Sequence, residues 1–140
     1  MLVVVSKKAV LVASLVMFAA SCGGDKSSVN PDAAADRCSG AITVTVSSGA
    51  APAFSWSPAC KATNLTVIRA DAPATDPAIW AVGREPNQFG PGVQYGVAPA
   101  GSVVFVAPAP LQKGVRYQVA VFATIGQDAI MGSGSAVFVP

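Results

Sequence analysis

Histidine is absent from this sequence of 140 residues, and charged residues make up only 11% of it. Histidine is the commonest general base and the commonest metal ligand in proteins, so its absence excludes most hydrolase triads and most zinc sites. The formal net charge is +2, and Lys7 and Lys8 near the start of the chain account for the excess of basic residues. The remainder is close to neutral and has no basic cluster, so we expect no nucleic-acid partner.

Motifs of common active sites are missing from the chain after residue 21. It contains no glycine-rich phosphate loop, no nucleophile elbow and no Ser-x-x-Lys sequence. The acidic residues all fall in segments that we expect to be linker or loop. Asp71 and Asp76 share one such loop, but a calcium site needs several oxygen ligands close together, so we expect both to be solvated. We predict that the protein is not an enzyme and holds no metal and no cofactor.

The N-terminus has the pattern of a targeting segment. Lys7 and Lys8 precede an apolar run over residues 9–20, which is shorter than the roughly 20 residues that a membrane-spanning helix needs. The run therefore fits a cleaved signal peptide over residues 1–21 better than a permanent span. It ends in Ala19-Ala20-Ser21-Cys22, and small residues before a cysteine resemble the lipobox of bacterial lipoproteins.

The lipobox resemblance implies that Cys22 becomes the first residue of the mature protein and is acylated on its sulfur and on its amine. Several acyl chains give stable anchoring to a membrane, since each buried CH₂ contributes about 0.8 kcal/mol. Lys7 and Lys8 favour the cytoplasmic side, so the chain after them is exported. Gly23 stands where an aspartate would resemble an inner-membrane retention signal, and we therefore expect the outer membrane of a bacterium. The alternative is an ordinary cleavage nearby without a lipid.

We divide the mature chain into a tether and one domain. Residues 22–37 contain a single large aliphatic residue, Val29, and cannot build a core. A flexible tether of this length has a mean reach of about 20–24 Å. The folded domain is predicted over residues 38–140, a length that allows one domain only.

Short segments of alternating apolar and polar residues fill the predicted domain, and no helical periodicity is found after residue 21. This pattern predicts an all-β fold, an antiparallel β-sandwich. The predicted strands cover residues 41–46, 52–56, 64–69, 78–82, 93–97, 103–106, 118–123 and 135–139. A glycine-containing turn is predicted over residues 126–134, before the last strand.

The first two predicted strands form a hairpin. Folding the chain about Gly49 sets Ile42 opposite Trp56 and Val44 opposite Phe54, with all four side chains on one face. We therefore expect Trp56 to lie in the core.

The same register sets Cys38 opposite Cys60, and we predict a disulfide between them. Closing this loop should stabilise the fold by about 3 kcal/mol. Two cysteines without histidine give too few ligands for a metal site, and acylation gives Cys22 a separate role. A disulfide can persist in an exported protein because the compartment is oxidising.

Two motifs in the domain resemble fibronectin type III domains. Pro52-Ala53-Phe54-Ser55-Trp56 looks like the second strand of that family, whose tryptophan fills the core. Leu111, Gly114 and Tyr117 match its L-x-x-G-x-x-Y tyrosine corner. The resemblance covers roughly residues 41–140 and implies that Tyr117 hydrogen-bonds the backbone at the corner while Leu111 covers the edge of the core. Other immunoglobulin-like topologies remain alternatives.

The expected function is an interaction module that a lipid anchor holds at the cell envelope. We single out Trp80 and Phe89 as candidate binding residues for an envelope protein or a glycan, because aromatic side chains at loop rims stack on sugars and anchor interfaces. The alternative for Trp80 is a tryptophan on an edge strand that covers the side of the sandwich. Two other functions stay open: an assembly lipoprotein that pairs through an edge strand, and a small enzyme with an unrecognised site.

Overall fold

A computed structural model of the chain describes residues 36–83, 88–125 and 129–140. The predicted signal peptide, Cys22 and nearly all of the tether lie outside the described residues. The regular structure of the described part consists of strands, as the alternating sequence pattern predicts. No helix in this part is long and apolar enough to cross a membrane.

Nine strands follow one another along the described chain. They are β1 Gly40–Ala41, β2 Thr43–Val46, β3 Ala53–Ser57, β4 Asn64–Arg69, β5 Trp80–Gly83, β6 Val93–Gln94, β7 Val103–Val106, β8 Tyr117–Ile125 and β9 Ala129–Phe138.

The strands form two sheets that pack together as a β-sandwich. The larger sheet has the order β1-β9-β8-β4-β5-β7, and the smaller has the order β2-β3-β6. All pairings are antiparallel except that of β1 with β9, which is parallel and sets Gly40 beside Gly132. This parallel pair is a departure from the predicted antiparallel sandwich. The chain first runs beside β9, where the Ile42 amide donates to the Ser133 carbonyl at 3.0 Å, and then enters the smaller sheet as β2.

Alternate residues of the strands point into the space between the two sheets and form one core. Phe54 of β3 lies near its centre, with its ring centroid 5.5 Å from that of Phe138 and 6.3 Å from that of Trp80. Strand β8 shows the alternation most fully. The side chains of β8 that are buried on the core face belong to Tyr117, Val119, Val121 and Ala123.

The β2–β3 hairpin has a register two residues away from the predicted one. Val44 lies opposite Trp56 and Val46 opposite Phe54. The turn is centred one residue later than Gly49, because the Ser47 amide donates to the Ala53 carbonyl at 3.0 Å. A shift of two residues keeps every side chain on its predicted face, so the error leaves the core assignment unchanged.

Strand β9, Ala129–Phe138, is much longer than the predicted strand over residues 135–139, and the turn predicted over residues 126–134 is wrong from Ala129 onwards. Gly132 and Gly134 lie inside the strand, where the chain passes close beside it. A Cβ atom at Gly132 would lie 2.8 Å from the Cys38 carbonyl oxygen, and one at Gly134 would lie 2.7 Å from Ile42 Cγ1. These glycines are therefore explained by close packing and not by a turn.

Candidate functional site

The Cys38–Cys60 disulfide is present, with the two Cα atoms 4.8 Å apart. The prediction of the bond is confirmed, but the hairpin register that led to it is wrong. The cysteines meet through a separate parallel bridge between Arg37 and Lys61, in which the Cys38 amide donates to the Lys61 carbonyl at 2.9 Å. The disulfide thus fixes the start of the described chain to the segment between β3 and β4.

Trp56 is buried, as predicted. Its indole Nε1–H donates to the Cys60 carbonyl at 2.8 Å, so the one polar group of the ring is satisfied. This hydrogen bond joins the core to the disulfide.

Trp80 and Phe89 do not form the exposed recognition centre that we predicted from the sequence. Trp80 is 0% exposed, and its ring centroid lies 5.2 Å from that of Tyr95. The alternative of an edge-strand tryptophan also fails, because β7 pairs with β5 on the side away from β4. Phe89 is 7% exposed and its ring lies edge-on to that of Trp56 at 6.2 Å. Both aromatic rings therefore belong to the core, although Phe89 also lines a shallow surface hollow together with Gly90 and Pro91.

Tyr117 makes the hydrogen bond that is typical of a tyrosine corner. Its hydroxyl accepts a hydrogen bond from the Gln112 amide at 2.9 Å, and the side chain is buried. Leu111 is half-buried and packs against the core.

Tyr95 makes a second hydrogen bond of this kind, because its hydroxyl donates to the Ala109 carbonyl at 2.6 Å. The pKa of Tyr95 is raised above its ordinary value, mainly by burial and secondly by the electrostatic interaction with Tyr117.

The charged side chains of the described part lie at the two ends of the sandwich. One surface hollow of about 280 Å³ is lined by Arg69, Asp71, Asp76 and Arg116. Arg116 and Asp71 form an ion pair at 3.1 Å in which both side chains are more than half exposed, so its contribution to stability is small. No group of three or more metal-ligating side chains is found among the described residues. We assign no chemistry to this hollow.

The most unusual surface is the edge strand β7. Val103, Val104 and Phe105 are 56%, 45% and 65% exposed, although all three are apolar. One side of β7 pairs with β5, and its other side pairs with no described strand. Edge strands of natural proteins usually carry lysine or another charge that blocks further pairing. The sequence from residue 86 to residue 112 contains no charged residue, so β7 lacks this protection.

A β-bulge interrupts the pairing of β7 with β5. The pairing sets Val104 opposite Val82 and Val106 opposite Ala81, which leaves Phe105 as the extra residue. The Phe105 ring lies over Gly83, where a Cβ atom would be 2.7 Å from Phe105 Cε2. Bulges are used to aim side chains at sheet edges. Here the bulge accompanies a mostly exposed aromatic ring that lies over Gly83 of β5, on the paired side of β7.

The signal for β7 was present in the sequence. Its bounds, 103–106, were predicted correctly, and the run Val-Val-Phe-Val has no charge. Alternation alone could not show that this strand lies at an edge, because sheet order depends on contacts between distant segments.

Comparison with known proteins gives no relative for this chain: no protein-family model matches it, and neither do curated proteins or solved structures.

Proposed function

We propose that the protein is a bacterial envelope lipoprotein whose β-sandwich binds a partner by strand addition at β7. In this mode of recognition an extended segment of the partner pairs with the free edge of a sheet, and backbone hydrogen bonds supply much of the affinity. The observation that carries the proposal is the apolar edge without charged residues that Val103, Val104 and Phe105 form. The chemistry of this edge fits an extended, apolar and uncharged segment. Trp80 is fully buried, so we do not propose that its ring binds a glycan.

The leader sequence supports the lipid-anchor part of the proposal. An apolar run ends in small residues before Cys22, and the two remaining cysteines pair with each other. The disulfide fits an oxidising compartment outside the cytoplasm. The anchor we propose lies on the outer membrane, as Gly23 favours.

A fibronectin type III-like arrangement is the proposed type of sandwich. The order β9-β8-β4-β5 facing β2-β3-β6 and the hydrogen bond of Tyr117 support it. The parallel strand β1 and the added strand β7 are departures from a simple sandwich of this kind. Immunoglobulin-like arrangements are the alternative.

Cys22 should be acylated in the protein isolated from a producing bacterial cell. Mass spectrometry of the mature chain should find an N-terminal residue at Cys22 whose mass is increased by acyl groups. The Cys22→Ala variant serves as the control. In a partition between water and detergent it should enter the aqueous phase, because the acyl chains are the only stable anchor in the proposal. An unmodified N-terminus at another residue would contradict the anchor.

A single charge on β7 should weaken partner binding. Lysine at an edge disfavours strand addition, since the added strand would have to desolvate or avoid the ammonium group. We expect Val103→Lys to lower recovery of a partner from envelope extracts by about tenfold or more, which corresponds to roughly 1.4 kcal/mol.

The matched control is Val137→Lys on β9, at the other side of the same sheet. Val137 is 51% exposed, close to the 56% of Val103, so both changes should have a similar small effect on stability. Equal recovery with the two variants, both folded by circular dichroism, would contradict recognition at β7.

A further inference from the structure

The core-facing side of β7 is open to solvent. Val104 lies opposite Val82 of β5, so the two side chains point to the same face of the larger sheet. Val82 is 1% exposed, whereas Val104 is 45% exposed. The smaller sheet has three strands and the larger has six, so the cover that the smaller sheet provides ends between β5 and β7. An apolar side chain on the core face is therefore left without this cover.

The outer face of β7 is also apolar and exposed. Val103 pairs with Gly83, which follows Val82 in β5 and so belongs to the opposite face of the sheet. The Phe105 ring lies over the same glycine. None of the four residues of β7 is buried. The strand therefore presents apolar side chains on both of its faces, beside an edge that pairs with no described strand.

The charges near β7 do not oppose contact between two copies of the chain. Residues 86–112 contain no charged residue. Arg84 and Glu85 follow β5 in the sequence, lie outside the described residues and carry opposite charges. Phe89, after this gap, forms a bridge with Ala62, which precedes β4 and not β7. Two β7 strands can therefore approach each other without bringing like charges of this segment together.

Prolines limit the length of any strand that pairs with β7. Pro99 and Pro108 have no backbone N–H, so a ladder along the free edge is confined to residues 100–107. The edge therefore fits a short, extended, apolar and uncharged strand. The β7 strand of a second copy has these properties, and the same prolines limit it to the same length.

We infer that the partner at the free edge of β7 is a second copy of this chain, with the two β7 strands paired antiparallel about a two-fold axis. This inference rests on the proposed strand addition at β7. A register centred on Val104 sets this residue opposite Val104 of the second copy on the core-side face, and Val103 opposite Phe105 on the outer face. A shift of one residue would set Val104 opposite Phe105, although their side chains lie on different faces.

The contact is small, because β7 contributes four residues from each copy. Such a pair of strands falls below the about 1,200 Å² of total buried surface at which stable interfaces begin. The dimer is therefore weak in free solution. Lipid anchors that hold both copies on one membrane raise their effective concentration, so we expect the dimer to form at the cell envelope.

Disulfide crosslinking of the full-length chain in bacterial cells tests the inference. Val104→Cys is introduced into two co-expressed copies that carry different epitope tags. After mild oxidation with copper phenanthroline, dimers are captured through one tag and detected through the other. The matched position is Val137→Cys on β9, because Val137 is 51% exposed and Val104 is 45% exposed. The chain without an added cysteine gives the background.

We expect position 104 to give at least about tenfold more dimer with both tags than position 137, because a disulfide requires Cα atoms within about 7 Å of each other. Adding Val103→Lys to the Val104→Cys chain should remove most of the dimer, since a lysine on each copy disfavours pairing of the two edges. One copy with Val103→Cys and the other with Phe105→Cys should also crosslink, as the register requires.

The results that contradict the second copy differ from those that contradict strand addition. Equal amounts of dimer from positions 104 and 137 would show that β7 is not the contact between copies. If position 104 gives no dimer but Val103→Lys still lowers recovery of a different protein from envelope extracts, the second copy is wrong and strand addition stands. If position 104 gives no dimer and Val103→Lys changes the recovery of no protein, both proposals are wrong.

Discussion

Replacing Trp80 with alanine should lower the free energy of unfolding by about 3–5 kcal/mol, the range observed for large aromatic residues in protein cores. The side chain is fully buried, and its ring contacts those of Phe54 and Tyr95 between the two sheets. Removing the ring leaves a cavity, because strands paired on both sides of β5 cannot close over it. Urea denaturation followed by tryptophan fluorescence of the remaining Trp56 measures the loss.

Phe105→Ala is the control for Trp80→Ala. Phe105 is also aromatic and belongs to the neighbouring strand β7, but it is 65% exposed, so its removal should cost less than about 1 kcal/mol. If Trp80→Ala were as stable as the Phe105→Ala variant, the tryptophan would not be a core residue and recognition at its ring would return as a hypothesis.

Loss of the Cys38–Cys60 disulfide should lower the free energy of unfolding by about 3 kcal/mol, because the bond restricts the unfolded chain over a loop with a sequence separation of 22 residues. The double variant Cys38→Ala/Cys60→Ala and the reduced wild-type protein should show the same loss in urea denaturation. The start of the described chain should be affected first, since the bridge between Arg37 and Lys61 lies beside the disulfide.

Cys22→Ala provides the control, because it removes a cysteine without touching the disulfide. It should denature at the same urea concentration as the wild-type domain. Two thiols that react with an alkylating agent in the isolated, unreduced protein would contradict the disulfide itself.

Sequence alternation was sufficient to predict the fold class and several strands. The bounds of β4 and β7 agree with the prediction, and Trp56 is in the core as expected. These predictions succeed because a half-buried strand repeats its pattern every two residues, and that pattern is local. The tyrosine corner of Tyr117 is also a local feature, because its hydrogen bond joins Tyr117 to Gln112, which is only five residues earlier in the sequence.

The features that were missed depend on contacts between distant segments. The sequence around Trp80 suggests a surface residue, because nothing in its own segment shows that its ring would pack between the sheets against Phe54 and Tyr95. Gly132 and Gly134 suggest a turn in the sequence, because the residues around them do not show that residues 38–42 pack closely against them. The candidate site therefore moved from Trp80 and Phe89 to β7, whose exposure only the sheet order reveals.

Photo-crosslinking in living cells tests recognition at β7 most directly. A benzoylphenylalanine residue replaces Val103 in the full-length chain, and the same residue at Val137 is the control. Irradiation should give a discrete crosslinked species from position 103 and none from position 137, and Phe105→Lys in the same chain should abolish it. A crosslink of equal yield from both positions, or none from position 103, would contradict the account.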